Sequence, residues 1–253
     1  MPEATDSSWR RRKDLIIRVL AVLVVLVSYY SIQYITDVLA VRSFLDLPDD
    51  WWLIAFDHHL VQMMCALAAI AVLSRGRWQD WGLNFRNYQE SFRILWRFLY
   101  YYGVYFIGIG FVVQLLFLPA RTLVEELDAG NIMGRLAFGF VFVGLSEEIL
   151  FRGLFHTFLG LFWIGMTRWR SVEMPWAGWI SAAVFTLAHI GVSFPAFEVT
   201  HLYVPQLVLA FALGLFYSWA YHRTGSLLAP VLAHNLSNGL LWSSEYLLVW
   251  LKT

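Results

Sequence analysis

Residues Leu136 to Met166 read L-A-F-G-F-V-F-V-G-L-S-E-E-I-L-F-R-G-L-F-H-T-F-L-G-L-F-W-I-G-M. A run this long and this apolar reads as a membrane-crossing helix, because about 20 such residues cover the roughly 30 Å of a hydrocarbon core. The surplus length leaves room for tilt or protrusion. At its middle, however, stand two adjacent acids, Glu147 and Glu148, and a cation, Arg152. An ionised side chain at mid-bilayer costs about 2.5–3.5 kcal/mol on insertion scales, so each needs a partner or a function. Arg152 follows Glu148 by four residues, which puts both on one helical face where they can pair. Glu147 is rotated by about 100° and lacks that partner. The arrangement gives one structural carboxylate and one reactive one; a polar helix-packing cluster is the competing explanation.

Six more apolar runs flank this one: Leu15–Val38, Trp51–Leu73, Ile94–Pro119, Pro175–Val192, Val204–Tyr221 and Leu227–Leu248. The fold expected is an all-α polytopic membrane bundle of seven helices, or eight if the fourth or seventh run is split. Residues 1–253 form one integral membrane domain, with residues 1–13 as a basic tail. Composition agrees. Of 253 residues, 59% are hydrophobic and 14% charged, against about 45–50% and 25% in soluble domains. Lys+Arg and Asp+Glu number 18 each, so nothing argues for nucleic acid as a partner. Cys65 is the sole cysteine, and no intrachain disulfide can form.

The charges sort by side. Thirteen basic residues lie at or near one set of span ends: Arg10, Arg11, Arg12, Lys13, Arg18, Arg75, Arg77, Arg86, Arg93, Arg97, Arg168, Arg170 and Arg223. Four lie on the other side, Arg42, Arg121, Arg135 and Lys252, together with the acids Asp37, Asp46, Asp49, Asp50, Glu125, Glu126 and Asp128. The positive-inside rule then puts the N-terminus in the cytoplasm. The first run is too long for the apolar core of a signal peptide and reads as an uncleaved anchor. Trp51, Trp52, Trp163, Trp169, Trp176 and Trp219 fall near span ends, as interfacial belts require. The stretch Trp78–Asn84 reads as an interfacial piece.

Further polar residues lie in hydrophobic runs. The fifth run carries Phe185-Thr-Leu-Ala-His189, and the seventh carries His234-Asn-Leu-Ser-Asn238. His234 and Asn238 are one turn apart and point the same way. Both can donate hydrogen bonds to a developing oxyanion, or act as interhelical glue. A carboxylate with a neighbouring imidazole can hold and deprotonate water. Taken together, Glu147, His189, His234 and Asn238 have the parts for hydrolysis. Asp57, His58 and His59 are expected near the outer end of their span, snorkelling or bonded to neighbouring helices; the alternative has them line an aqueous route to the pocket. His156 is expected to be structural. Phe194-Pro-Ala and Tyr203-Val-Pro are candidate gates.

Glu147-Glu148 with Arg152 is similar to the E-E-x-x-x-R motif of the CAAX-processing and bacteriocin-processing intramembrane endopeptidases, a family that includes the type II CAAX prenyl endopeptidase. Phe185 with His189 resembles its F-x-x-x-H motif, and His234 with Asn238 its H-x-x-x-N motif. The stretch Arg223-Thr-Gly-Ser-Leu-Leu-Ala-Pro-Val-Leu-Ala-His234 looks like bacterial members. The resemblance covers about residues 141–239, the motif-bearing core. It implies that Glu147 activates water, that His189 orients it, that His234 and Asn238 stabilise the oxyanion, and that Glu148 and Arg152 support them. It implies a membrane-associated protein or peptide as substrate, the lipid bilayer as partner and the bacterial cytoplasmic membrane as location. The glutamate-type mechanism requires no cofactor. A zinc-dependent version would use Glu147, His189 and His234 as ligands. A proton-coupled transporter and a non-catalytic immunity protein are the competing functions.

Overall fold

The structure is a computed structural model and describes residues 3–43, 51–117, 128–170, 172–193, 196 and 198–252. Its helices are α1 (Glu3–Ser43), α2 (Trp51–Ser74), α3 (Tyr88–Phe117), α4 (residues 129–160), α5 (Trp176–Leu187), α6 (Val204–Thr224) and α7 (Leu228–Lys252). A 3-10 turn at Trp78–Trp81 precedes α3, at the stretch read as interfacial.

The exterior is apolar. Val24, Val27, Met64, Val72, Trp96, Val112 and Val208 are all exposed. One face of α1 is buried instead, along Ala21, Val25, Tyr29, Ile32 and Thr36. That is the helical repeat of a stripe packed on neighbours. Apolar residues outside and polar ones inside fit an all-α bundle in lipid. Arg12–Leu39, Trp52–Ser74, Tyr88–Phe117 and Val204–Thr224 are long and apolar enough to cross a membrane.

Several expected boundaries move. The fourth run is expected over Leu136–Met166, but α4 begins seven residues earlier and ends at Gly160. Its start is fixed by Asp128, whose Oδ1 accepts from the Asn131 N–H at 2.9 Å, an N-cap. That backbone bond holds the Asp128 carboxyl below its ordinary pKa. Past Gly160, Leu161 and Phe162 form a turn, and Gly165 at φ 125° leads into β1 (Met166–Trp169). β1 pairs antiparallel with β2 (Val172–Pro175).

The fifth run, expected over Pro175–Val192, yields only the 12-residue α5. At 1.5 Å per residue that is about 18 Å, too short to cross alone. The chain leaves the helix at Ala188 and enters a second hairpin, β3 (Gly191–Ser193) with β4 (Glu198–His201). A Cβ on Gly191 would lie 2.8 Å from Thr200 Oγ1, so the close approach of the two strands requires glycine there. The bundle is all-α as expected, with two small hairpins added at its helix ends. The third run begins at Tyr88 rather than Ile94; its expected end at Pro119 lies outside the described residues. Neither α4 nor α7 is split. Asp46, Asp49, Asp50, Arg121, Glu125 and Glu126, and Phe194 and Pro195 of a candidate gate, also lie outside them.

At the arginine-rich end, the α2–α3 connection is tied to the α6–α7 turn. Asn84 Nδ2 donates to Gly225 O (2.9 Å), Asn87 Nδ2 to Thr224 O (3.0 Å), and Leu227 N to Gly82 O (2.9 Å). Arg223 pairs with Glu90 at 3.4 Å. Gly225 (φ 65°) ends α6 in the left-handed conformation, which a side chain disfavours. This gives the Arg223-Thr-Gly-Ser stretch a structural purpose. Gly82 sits at φ 82° directly against the Tyr221 ring. We predict that Gly82→Ala costs more than about 1 kcal/mol through strain and collision, read as a lowered melting temperature of the purified protein; an unchanged melt would contradict this packing.

Candidate active site

The centre of α4 is wound wide. Phe138–Phe142 and Ile149–His156 have π-type turns on either side of Val143–Glu148. Wide turns free backbone groups that must find other partners. Asn235 of α7 takes two of them: its Oδ1 accepts from Gly144 N at 2.7 Å and its Nδ2 donates to Val141 O at 2.9 Å. The crossing is close, since a Cβ on Gly144 would lie 2.8 Å from Asn235 N and His234 Cβ. Glycine at 144 therefore lets α7 bring His234 beside the two glutamates.

Glu148 and Arg152 are fully buried and paired at 3.0 Å. Arg152 Nη2 donates to Gly214 O of α6 at 2.8 Å, and its guanidinium lies 4.6 Å from the Phe185 ring centre and 5.3 Å from that of Tyr217. Glu148 Oε1 also receives His234 Nδ1 at 2.7 Å. An ionised carboxylate only accepts, so His234 carries its proton on Nδ1. Tyr217 stacks on the His234 ring at 4.8 Å and 15°. The Tyr217 hydroxyl is 2.8 Å from Ser237 Oγ, which itself donates to His234 O. Phe185 is edge-on to both His189 and His234.

His189 and His59 are held by the same device. His189 Nδ1 lies 2.8 Å from Phe185 O, and a carbonyl can only accept. His59 Nδ1 lies 2.7 Å from Ser146 Oγ, whose own proton goes to Val143 O at 3.1 Å. Each of the three imidazoles is thus tied through Nδ1–H, which in the neutral ring leaves Nε2 as an acceptor. Two of those nitrogens face Glu147: His234 Nε2 is 3.7 Å from Oε2, and His59 Nε2 is 3.8 Å from Oε1.

Glu147, His59, His189, His234 and Asn238 line one cleft of about 290 Å³, walled by Tyr102, Phe138, Leu213 and Trp242. His59 is a correction. Its expected place was the outer end of α2 among neighbouring helices, but it belongs to the centre. His58 does bond outward, with Nδ1 3.3 Å from Asp37 of α1. Asp57 is half-buried and takes no part in the cleft. His156 is buried edge-on against Tyr221 and lines neither this cleft nor the bonds around Glu147. Asn235, Ser146 and Tyr217 are ordinary polar or aromatic residues whose only signal in the sequence is adjacency to a motif or a hydrophobic setting.

For zinc, the expected donors were Glu147, His189 and His234. Among the described residues no three His, Cys, Asp or Glu side chains are gathered so that they could hold a metal ion. Glu147, His189 and His234 are not among such a gathered set.

A membrane bundle with a buried acid–imidazole centre is the class that fold and site define. Residues 129–240 match the family model of the type II CAAX prenyl endopeptidases, Rce1-like. That stretch runs from the first residue of α4 to the middle of α7 and contains all three motifs, so the resemblance they carry holds. The family so described is one of CAAX-type proteases, and the match covers the part of the chain that holds the site. No curated protein and no solved structure matches the chain.

Removing the cation would leave Glu148 buried without its main partner. We predict that Arg152→Met destabilises the protein by about 3–5 kcal/mol, visible as loss of folded protein in detergent. Arg152→Lys should not restore it, because a lysine cannot reach Glu148 and Gly214 O in the same fork. A fully stable Arg152→Met variant would contradict the pairing.

Proposed function

We propose that this protein is an intramembrane endopeptidase of the glutamate type, which hydrolyses a peptide bond in a membrane-associated protein or peptide. The observation that carries the reading is the division between the two acids. Glu148 is consumed by Arg152 and His234, whereas Glu147 faces an open cleft and two imidazole nitrogens beyond direct hydrogen-bond range. A carboxylate so placed is free to take a proton from water.

In this reading, Glu147 removes a proton from the attacking water while His189 helps orient it. The water oxygen bonds to the scissile carbonyl carbon. Asn238 and His234 then stabilise the oxyanion. His234 donates only once Nε2 is protonated, and Glu147 Oε2, at 3.7 Å, is the nearby proton source. Breakage of the C–N bond, as His234 Nε2 gives that proton back through Glu147 to the leaving amine, completes the hydrolysis. Oxyanion donors of this kind contribute about 10²–10³ in rate. Residues 141–239 form the catalytic core. The arginine-rich end of the bundle is assigned to the cytoplasm by the positive-inside rule, and the N-terminus with it, in a bacterial cytoplasmic membrane. A peptide pheromone, a bacteriocin leader or a C-terminal sorting helix suits the site as substrate.

Two outcomes check this. Glu147→Gln and His189→Ala should each lower cleavage by about 10²-fold or more while the protein still inserts. Mapping new termini in membrane proteomes that differ only in this variant reads the effect, and full activity in either variant would contradict the assignment. A metal chelator should leave the purified enzyme's rate unchanged; loss restored by added zinc would favour the metal-dependent version.

A further inference from the structure

Glu147 borders two cavities of different character. The cleft described above is walled mainly by aromatic and aliphatic side chains. Glu147, His59 and His189 also border a second cavity of about 310 Å³, and Gln206 lines both. Its remaining wall is largely polar: Gln33 and Tyr29 of α1, His58 and Gln62 of α2, His201 of β4 and Gln206 of α6. His201 and Gln206 are exposed, so the cavity reaches the surface at that end. We propose that this cavity brings the hydrolytic water to Glu147, and that His59 Nε2 holds that water against Glu147 Oε1. The proposal rests on the hydrolytic reading above.

Three observations carry it. First, His59 Nε2 and Glu147 Oε1 are 3.8 Å apart, and with Nδ1–H committed to Ser146 both atoms are acceptors. Two facing acceptors need a donor between them. One water about 2.8 Å from each would give a proton to both. Its lone pair is then free for a carbonyl carbon arriving from the apolar cleft. Second, Gln62 is only 3% exposed, its Oε1 accepts from Gln33 Nε2 at 3.0 Å, and its own Nε2 has no hydrogen-bond partner among the described residues. A buried amide donor beside a polar cavity indicates solvent. Third, the cavity has room for on the order of ten waters. In the reaction the water oxygen bonds to the carbonyl carbon, its proton passes to Glu147, and the C–N bond breaks with that proton delivered to the amine. His59 keeps the second hydrogen bond throughout and is not consumed.

The two nitrogens of His59 can be tested separately. His59→Asn keeps a polar atom near Nδ1, where the Ser146 bond is made. His59→Gln keeps one near Nε2, where the water sits. With a peptide spanning a cleavage site mapped as above, His59→Gln should retain at least about a tenth of kcat. His59→Asn should lose about 100-fold, with KM changed by less than about twofold in both. If His59→Gln is no better than His59→Asn, the water-holding role is overturned. A second measurement does not depend on activity. In a Cys65→Ala background, Gln62→Cys should react with a charged methanethiosulfonate reagent, whereas Val24→Cys on the apolar exterior should not. An unreactive Gln62→Cys overturns the route. Activity in Glu147→Gln would instead remove the hydrolytic reading itself, so the two failures are distinct.

Discussion

The carboxylate of Glu148 is the fixed point on which the rest of the centre depends. It is fully buried, accepts from Arg152 at 3.0 Å and from His234 Nδ1 at 2.7 Å, and thereby joins α4 to α7. Arg152 extends the connection to α6 through Gly214 O and to α5 through the Phe185 ring. One ion pair thus links four helices. In a medium without water to solvate it, such a pair holds position because its groups have nowhere else to go.

Its consequence is that the neighbouring acid is released. Glu147 and Glu148 are consecutive and chemically identical, yet helical rotation sends one into a neutralising cage and the other into a cleft. The imidazoles follow a shared rule: His59, His189 and His234 each spend Nδ1–H on a fixed acceptor. Such second contacts set ring orientation and tautomer. The centre draws on α2, α4, α7 and the turn that follows α5, and with each ring held at Nδ1 the nitrogen left over, Nε2, is an acceptor.

The membrane character of the fold was legible because hydropathy and charge placement are properties of the chain alone. The pairing of Glu148 with Arg152 was legible because i, i+4 spacing fixes it. Other features depend on partners distant in sequence. The start of α4 depends on Asp128 as a cap, and the shortness of α5 depends on a hairpin that apolar composition concealed. His59 looked peripheral because its run gives no depth. Only the packing of α2 on α4, with Ser146 at hand, brings it to Glu147. Asn235 stood inside the His234–Asn238 motif and went unremarked, since its work is to satisfy backbone groups freed by wide turns in another helix.

The most direct measurement is nitrogen NMR of the protein labelled with ¹⁵N-histidine, with His59, His189 and His234 assigned by single substitutions. The account predicts that all three neutral rings carry their proton on Nδ1 and leave Nε2 bare. A proton resident on Nε2 instead of Nδ1 in any of the three would contradict it.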